Sequence, residues 1–170
     1  NPENMFVKGK TITTGIGWDV AASGNKAFVA HGIFGVGVYD LSQPHTPAWQ
    51  EQLHLPGRIV SVAANRSILA AARKNGTIYL YDISNGAQLI GEINARFRLA
   101  RISFVAGHLW ILGHKGDWVD VFDLSNPGSP VELGGFTQNA APYFRARFKG
   151  MHAFSFDRKK VQVYGFEPLD

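Results

Sequence analysis

The chain has 170 residues, 45% hydrophobic and 18% charged, which is enough for one sizeable core and too apolar in pattern for disorder. No apolar run approaches the roughly 18 residues that span a bilayer, and Asn1-Pro2-Glu3-Asn4 lacks the basic and apolar regions of a signal peptide. The absence of cysteine excludes disulfides and thiolate zinc sites, and the net charge of +4 describes either a solvated surface or an affinity for anions. The missing initiator Met reads as a processed or excised chain.

In chain order, Met5 to Ile12, "MFVKGKTI", reads as an outer strand, because Asn1-Pro2 repeats the Asn126-Pro127 turn that leads into "VELGGF". A first unit then opens with the small-residue strand Trp18 to Ala22 "WDVAA", turns at "SGNK", and continues through a second strand and a third, "VGVYD", to the outer strand "WQEQLHL". The second unit repeats this plan with Ile59 to Ala64 "IVSVAA", the turn "NRS" and the third strand "IYLYD". A third has Arg101 to Ala106 "RISFVA", "AGH", "VDVFD" and "VELGGF", and a fourth has Phe144 to Phe148 "FRARF", "KGM" and "VQVYG".

The third strands end at Asp40, Asp82, Asp123 and Gly165, at intervals of 42, 41 and 42 residues. A period just above 40 with several short strands and no 3.6-residue periodicity is the signature of propeller blades. Small side chains suit the strand nearest the axis, where blades crowd. The recurring Asp reads as punctuation: its carboxylate accepts backbone N–H groups and stops the strand before a Ser-Asn-Pro turn.

These units predict an all-β fold, a β-propeller of four blades, each of four antiparallel strands, in a single domain over residues 1–170. The blades cover about residues 13–54, 55–95, 96–138, and 139–170 together with 1–12, so that the N-terminal strand closes the last blade and leaves no exposed edge. The alternative is a half or fragment of a larger ring, for example one of eight blades, with the same complementarity acting between two chains. The expected state is a monomer or homodimer, or part of a larger assembly.

The units resemble the LVIVD-type repeat of bacterial and archaeal surface propellers. The matching stretches are "DVAASGNKAFVAHGIFGVGVYDLSQPHTP" (19–47) and "ISFVAGHLWILGHKGDWVDVFDLSNPGSP" (102–130). The second unit replaces the prolines with Asn85-Gly86, and the last has Gly165 in place of Asp and Pro168 one residue early. What the resemblance implies is an exported binding or scaffold module at an extracellular, cell-surface or periplasmic location; it carries over no catalytic residue.

Strand order places the connections entering the first strands on the same face of the disc as those between second and third strands. Arg58, Arg98, Arg101 and Arg145 enter the first strands, with Trp18 at the matching point of the first unit. His31, Arg73 with Lys74, His114 with Lys115, and Asp157 to Lys160 fall between second and third strands. The opposite face, with Lys26, Arg66 and Lys149 against Glu167 and Asp170, is nearly balanced. A ring of guanidinium groups holds a carboxylate, sulfate or phosphate bidentately, and Trp18, Phe34, Phe97 and Tyr143 offer stacking surfaces. The bland reading of the same arginines is that they cap blade tops through carbonyls and neighbouring carboxylates, or are simply solvated.

His31 and His114 stand nine residues before their Asp and face each other across a four-bladed ring, but without acidic companions they make a poor zinc site. Asp19 is the only carboxylate on an inner strand. No G-x-S-x-G or H-E-x-x-H occurs, and "GIFGVG" (32–37) is a hairpin between strands, not a phosphate loop opening a helix. Strand alternation puts Asp117 and Asp120 on opposite faces, so they are no carboxylate pair. Asn65-Arg66-Ser67 and Asn75-Gly76-Thr77 fit the glycosylation acceptor pattern, which is frequent by chance.

The expectation is therefore a non-enzymatic module without catalytic residues, cofactor or metal. It presents a basic and aromatic face (Arg58, Arg98, Arg101, Arg145, Trp18, His31, His114, Tyr143) to an anionic glycan or protein partner. Nucleic acid is disfavoured, because the charge forms a spot around an axis and not a groove. A structural subunit of a larger surface complex is the alternative, and a propeller hydrolase or lyase comes third.

Overall fold

The computed structural model describes residues 6–13, 15–113 and 118–135 with their side chains, and residues 136–137, 145–149, 152–156 and 161–165 as strand backbone. The first blade runs β1 (Asp19–Ser23), β2 (Lys26–Ala30), β3 (Val36–Asp40) and β4 (Ala48–Leu53). The second runs β5 (Ile59–Ala64), β6 (Ile68–Arg73), β7 (Thr77–Asp82) and β8 (Gln88–Asn94). The third comprises β9 (Leu99–Val105), β10 (His108–Gly113), β11 (Trp118–Asp123) and β12 (Val131–Thr137), and a last sheet holds β13 (Arg145–Lys149), β14 (His152–Phe156) and β15 (Val161–Gly165). Each sheet is an antiparallel meander in chain order. Among the described residues no helix is long and apolar enough to cross a membrane.

Turn chemistry explains the tight hairpins. Between β9 and β10, Ala106 and Gly107 both take positive φ, 49° and 86°, the mirror-image turn that matches the twist of paired strands. The four predicted third-strand ends are found as predicted, with β3, β7, β11 and β15 closing on Asp40, Asp82, Asp123 and Gly165.

The core lies between blades, not within them. One cluster joins Phe28, Ala30, Val36 and Val38 of the first blade to Ile59, Val62, Leu69 and Tyr79 of the second. Another joins Ala70, Ala72, Ile78 and Leu80 of the second to Leu99, Ile102, Leu109 and Ile111 of the third. The outer strands of the first two blades reach these seams: Leu53 packs against the first cluster, which also holds Leu55, and Ile93 belongs to the second. At this spacing the runs of alanine in β5 and β6 let neighbouring sheets approach closely.

The strand-ending aspartates do what their spacing predicts. Ser42, Ser84 and Ser125 donate backbone N–H groups to Asp40, Asp82 and Asp123 at 2.7, 2.8 and 2.9 Å. The backbone and hydroxyl donors of the serine hold Asp40 and Asp82 below the ordinary carboxylate range, and for Asp123 the Ser125 hydroxyl acts first and its N–H second. A depressed folded-state value means these carboxylates favour the fold only while ionised. Their contribution is complete above the ordinary carboxylate value and is lost as pH falls through the lower folded-state values. Urea midpoints are therefore expected to hold steady down to about pH 5 and to fall below about pH 4. The triple Asp→Asn variant, which keeps an acceptor in each turn, is expected to flatten that acid limb.

Four complete blades closed by the N-terminal strand are not what forms. Among the described residues there are three four-stranded blades, a sheet of three strands, and no closure into a ring. The reason lies at residues 6–13, which take no strand assignment. Gly9 lies so close to the turn after β3 that a Cβ there would overlap the Pro44 carbonyl oxygen, and His45 Nδ1 donates to the Lys8 carbonyl at 3.0 Å. These contacts hold the segment over the first blade, while the last sheet follows β9 at the other end of the arc. The proposed turn at Asn1-Pro2 and the start of the strand at Met5 lie outside the described residues.

Candidate functional site

Backbone bonds bring the two predicted loop sets onto one face. The Ile59 N–H donates to the Gly32 carbonyl at 2.9 Å, tying the β2–β3 connection of the first blade to the inner strand of the second. Lys74 and Leu99 continue the pattern, the first donating to Arg58 and the second to Lys74, both at 3.2 Å. On that face Arg58 stacks its guanidinium over the Trp18 ring, 5.2 Å from the centroid, and both side chains stay exposed. Gly32 admits this pair: with φ of 63° it tolerates a backbone that a side chain would strain, and a Cβ would sit 3.0 Å from Trp18 Nε1.

Arg101 does not stand free. Its guanidinium lies 3.5 Å from Asp19 Oδ1, so one of the predicted charges is answered by the sole inner-strand carboxylate. Asp19 also accepts from the Ser61 hydroxyl at 2.6 Å and the Val62 N–H at 3.2 Å, and Ser61 Oγ in turn accepts the Ile102 N–H at 3.1 Å. A polar relay thus crosses β1, β5 and β9 at the rim of an axial groove. The groove encloses about 500 Å³ and is lined by Asp19, Val20, Ala22, Ala63, Arg101 and Phe104 among others.

Arg98 is exposed and has no ion-pair partner among the described residues. Beside it in sequence, Phe97 stacks on Trp118 with centroids 6.2 Å apart and planes at 25°. Trp118 was missed in the sequence reading, although it occupies the end of the β10–β11 connection, the loop class already assigned to this face. His31 sits elsewhere. It is 2% exposed, edge-on to Tyr39, with ring centroids 6.1 Å apart. The backbone places Arg145 at the start of β13, the position equivalent to the other inner-strand entries. His114 and Tyr143, with Lys115 and residues 157–160, lie outside the described residues.

A second polar cluster was not anticipated. Asp120, buried in β11, faces the exposed Arg96 at 3.7 Å, and Arg96 also pairs with Glu132. Burial pushes the Asp120 carboxyl above its usual range; Arg96 opposes that shift and Glu132 adds to it. Asn65 and Asn75, the two acceptor-pattern asparagines, use their side-chain oxygens locally, receiving the N–H of Ser67 at 3.0 Å and of Thr77 at 3.3 Å.

Residues 14–52 and 115–138 match the LVIVD repeat. The chain carries LVIVD-type repeats in a β-propeller fold. No curated protein sequence matches it. Among solved structures, the LVIVD chain is similar to the computationally designed Ika4 protein, with 12% identity, a TM-score of 0.67, and coverage of 96% of this chain and 99% of that one. It is similar to the β-propeller domain of Myceliophteria thermophila Cps50 (Swd1), at 14% identity and a TM-score of 0.66 over 92% of this chain and 54% of that one. A chain of the Mitotic Checkpoint Complex also matches, at 17% identity and a TM-score of 0.65 over 86% and 48%. The LVIVD chain therefore spans about half the length of these last two and nearly all of the designed protein. At such identities the likeness establishes the propeller fold alone.

Proposed function

We propose that this LVIVD chain is a non-enzymatic interaction module, exported to the cell surface or periplasm, whose basic and aromatic face holds an anionic glycan or an acidic protein segment. The observation that carries this reading is the exposed pair of Arg58 over Trp18 together with exposed Arg98 beside the Phe97–Trp118 stack. A guanidinium over a ring keeps N–H groups available to a sulfate or carboxylate, and the ring beside it offers a platform to a sugar. Arg101, paired with Asp19, contributes less. Propeller neighbours that occur in multiprotein structures, such as the Mitotic Checkpoint Complex chain, support an interaction role in general terms.

The test is retention on a sulfated-polysaccharide column across a salt series. Changing Arg58, Arg98 and Arg101 to Ser is expected to cost about 0.5–1 kcal/mol of binding per exposed guanidinium, roughly a two- to five-fold loss in retention each. Changing Lys26 and Arg66 on the opposite face is expected to leave retention unchanged. Equal losses in both variants would assign the positive charge to bulk surface and overturn the reading.

A further inference from the structure

The first blade carries an unfinished interface. Twelve large apolar side chains are exposed among the described residues, and six of them, Phe6, Val7, Ile12, Ile16, Trp18 and Val20, fall within residues 6–20. The repeat shows why this is unusual. Val20 is 63% exposed, whereas Val62, its equivalent 42 residues on, is 3% exposed because the first blade packs against it. Among the described residues, no sheet covers Val20 as the first blade covers Val62.

The segment at residues 6–12 marks where that blade belongs. In the body of the arc, Gly91 of β8 crosses the turn after β11 so closely that a Cβ would overlap the Pro127 carbonyl oxygen. Gly9 makes the same contact with the carbonyl of Pro44, and Pro44 and Pro127 each stand four residues after a strand-ending aspartate. Residues 6–12 thus lie over the first blade as the outer strand of the second blade lies over the third, but with no inner strands beside them. At the far end, β15 has the inverse deficit. Strands β3, β7 and β11 each pair with an outer strand, while β15 pairs only with β14 among the described residues.

We propose that a second copy of this chain docks on the first blade, with residues 6–12 of each copy pairing as the fourth strand on the Val161–Gly165 edge of the other. Two such contacts are equivalent under a two-fold axis and close one ring from two chains. The pairing satisfies a row of backbone groups at an otherwise open edge and buries Val20 as Val62 is buried. Self-closure is disfavoured by the open arc, in which β13 meets the preceding blade at β9. The proposal is independent of any anionic ligand.

Light scattering at micromolar concentration is expected to give twice the 18.6 kDa chain mass. Lys8→Pro removes an N–H from the pairing segment, and Val20→Asp places a charge on the inner edge. Each is expected to raise the dissociation concentration roughly tenfold or more while the far-ultraviolet spectrum stays that of the parent. Because the chain has no cysteine, a Val7→Cys chain mixed with a Val163→Cys chain provides a direct probe. A short bismaleimide is expected to join one of each into a heterodimer. A monomeric parent, a dimer indifferent to both substitutions, or a chain with both cysteines that cross-links only within itself would each overturn the proposal. The last outcome would establish closure by a single copy.

Discussion

Leu80→Ala is expected to destabilise the chain by about 3–5 kcal/mol, at the upper end of large-to-small core substitutions. Leu80 is fully buried in β7 and belongs to the cluster between the second and third blades, with Leu109, Ile111 and Phe122 of the third blade in the same cluster. Its neighbours on β6, Ala70 and Ala72, are also fully buried and too short to move into the space a truncated side chain leaves. The cavity therefore persists, and its cost adds to the lost transfer free energy. At this chain length the shift in Tm is about 2–4 °C per kcal/mol. Leu89→Ala, at a side chain 58% exposed, serves as the control and is expected to stay within about 0.5 kcal/mol. A Leu80→Ala loss below 1 kcal/mol, read from urea unfolding, would mean that the inter-blade cluster is not the core.

Ser61→Ala is the second large effect, expected at about 2–3 kcal/mol. The hydroxyl is 1% exposed and serves two neighbours at once, donating to Asp19 and accepting from the Ile102 N–H. Alanine leaves that N–H buried without its partner and takes a short hydrogen bond from a carboxylate, so the loss exceeds that of an ordinary neutral bond. Asp19→Asn should cost less, because the Arg101 side of the carboxylate is half exposed and solvent screens it. A double-mutant cycle over Ser61 and Asp19 is expected to show coupling of about 0.5 kcal/mol or more. Strict additivity would show that the relay does not act as a unit.

Much of the architecture could be read in advance because each third strand carries its own stop signal, and Asp40, Asp82 and Asp123 bond the serine two residues on as that pattern requires. The shared face of Arg58, Trp18 and the β2–β3 loop followed from strand order alone. Ring closure did not. "MFVKGKTI" has the text of an outer strand whichever sheet it serves, and it is the Gly9–Pro44 and Lys8–His45 contacts that show it sits on the first blade. Alternation also failed as a guide to exposure in the third strands. Residues 77–81 of β7 are buried without a break, because blades cover both of its faces. Asp120 is buried as well, and its polar character within "VDVFD" carried no sign that Arg96 would reach it. Trp118 was hidden for a different reason: the equivalent residue in the second blade is Thr77, so the repeat itself supplied no aromatic to compare.

Placing the apolar clusters between sheets also governs how the chain matures. A ribosome that has released residues up to 54 has made every strand of one blade but none of the partner surface on which Phe28 and Val36 become buried. That nascent blade is a sheet without an inside, and it waits exposed until the next forty or so residues emerge. Order is thus expected to be acquired in overlapping pairs along the direction of synthesis. The unit of folding is the seam between two repeats, one register out of step with the unit written in the sequence.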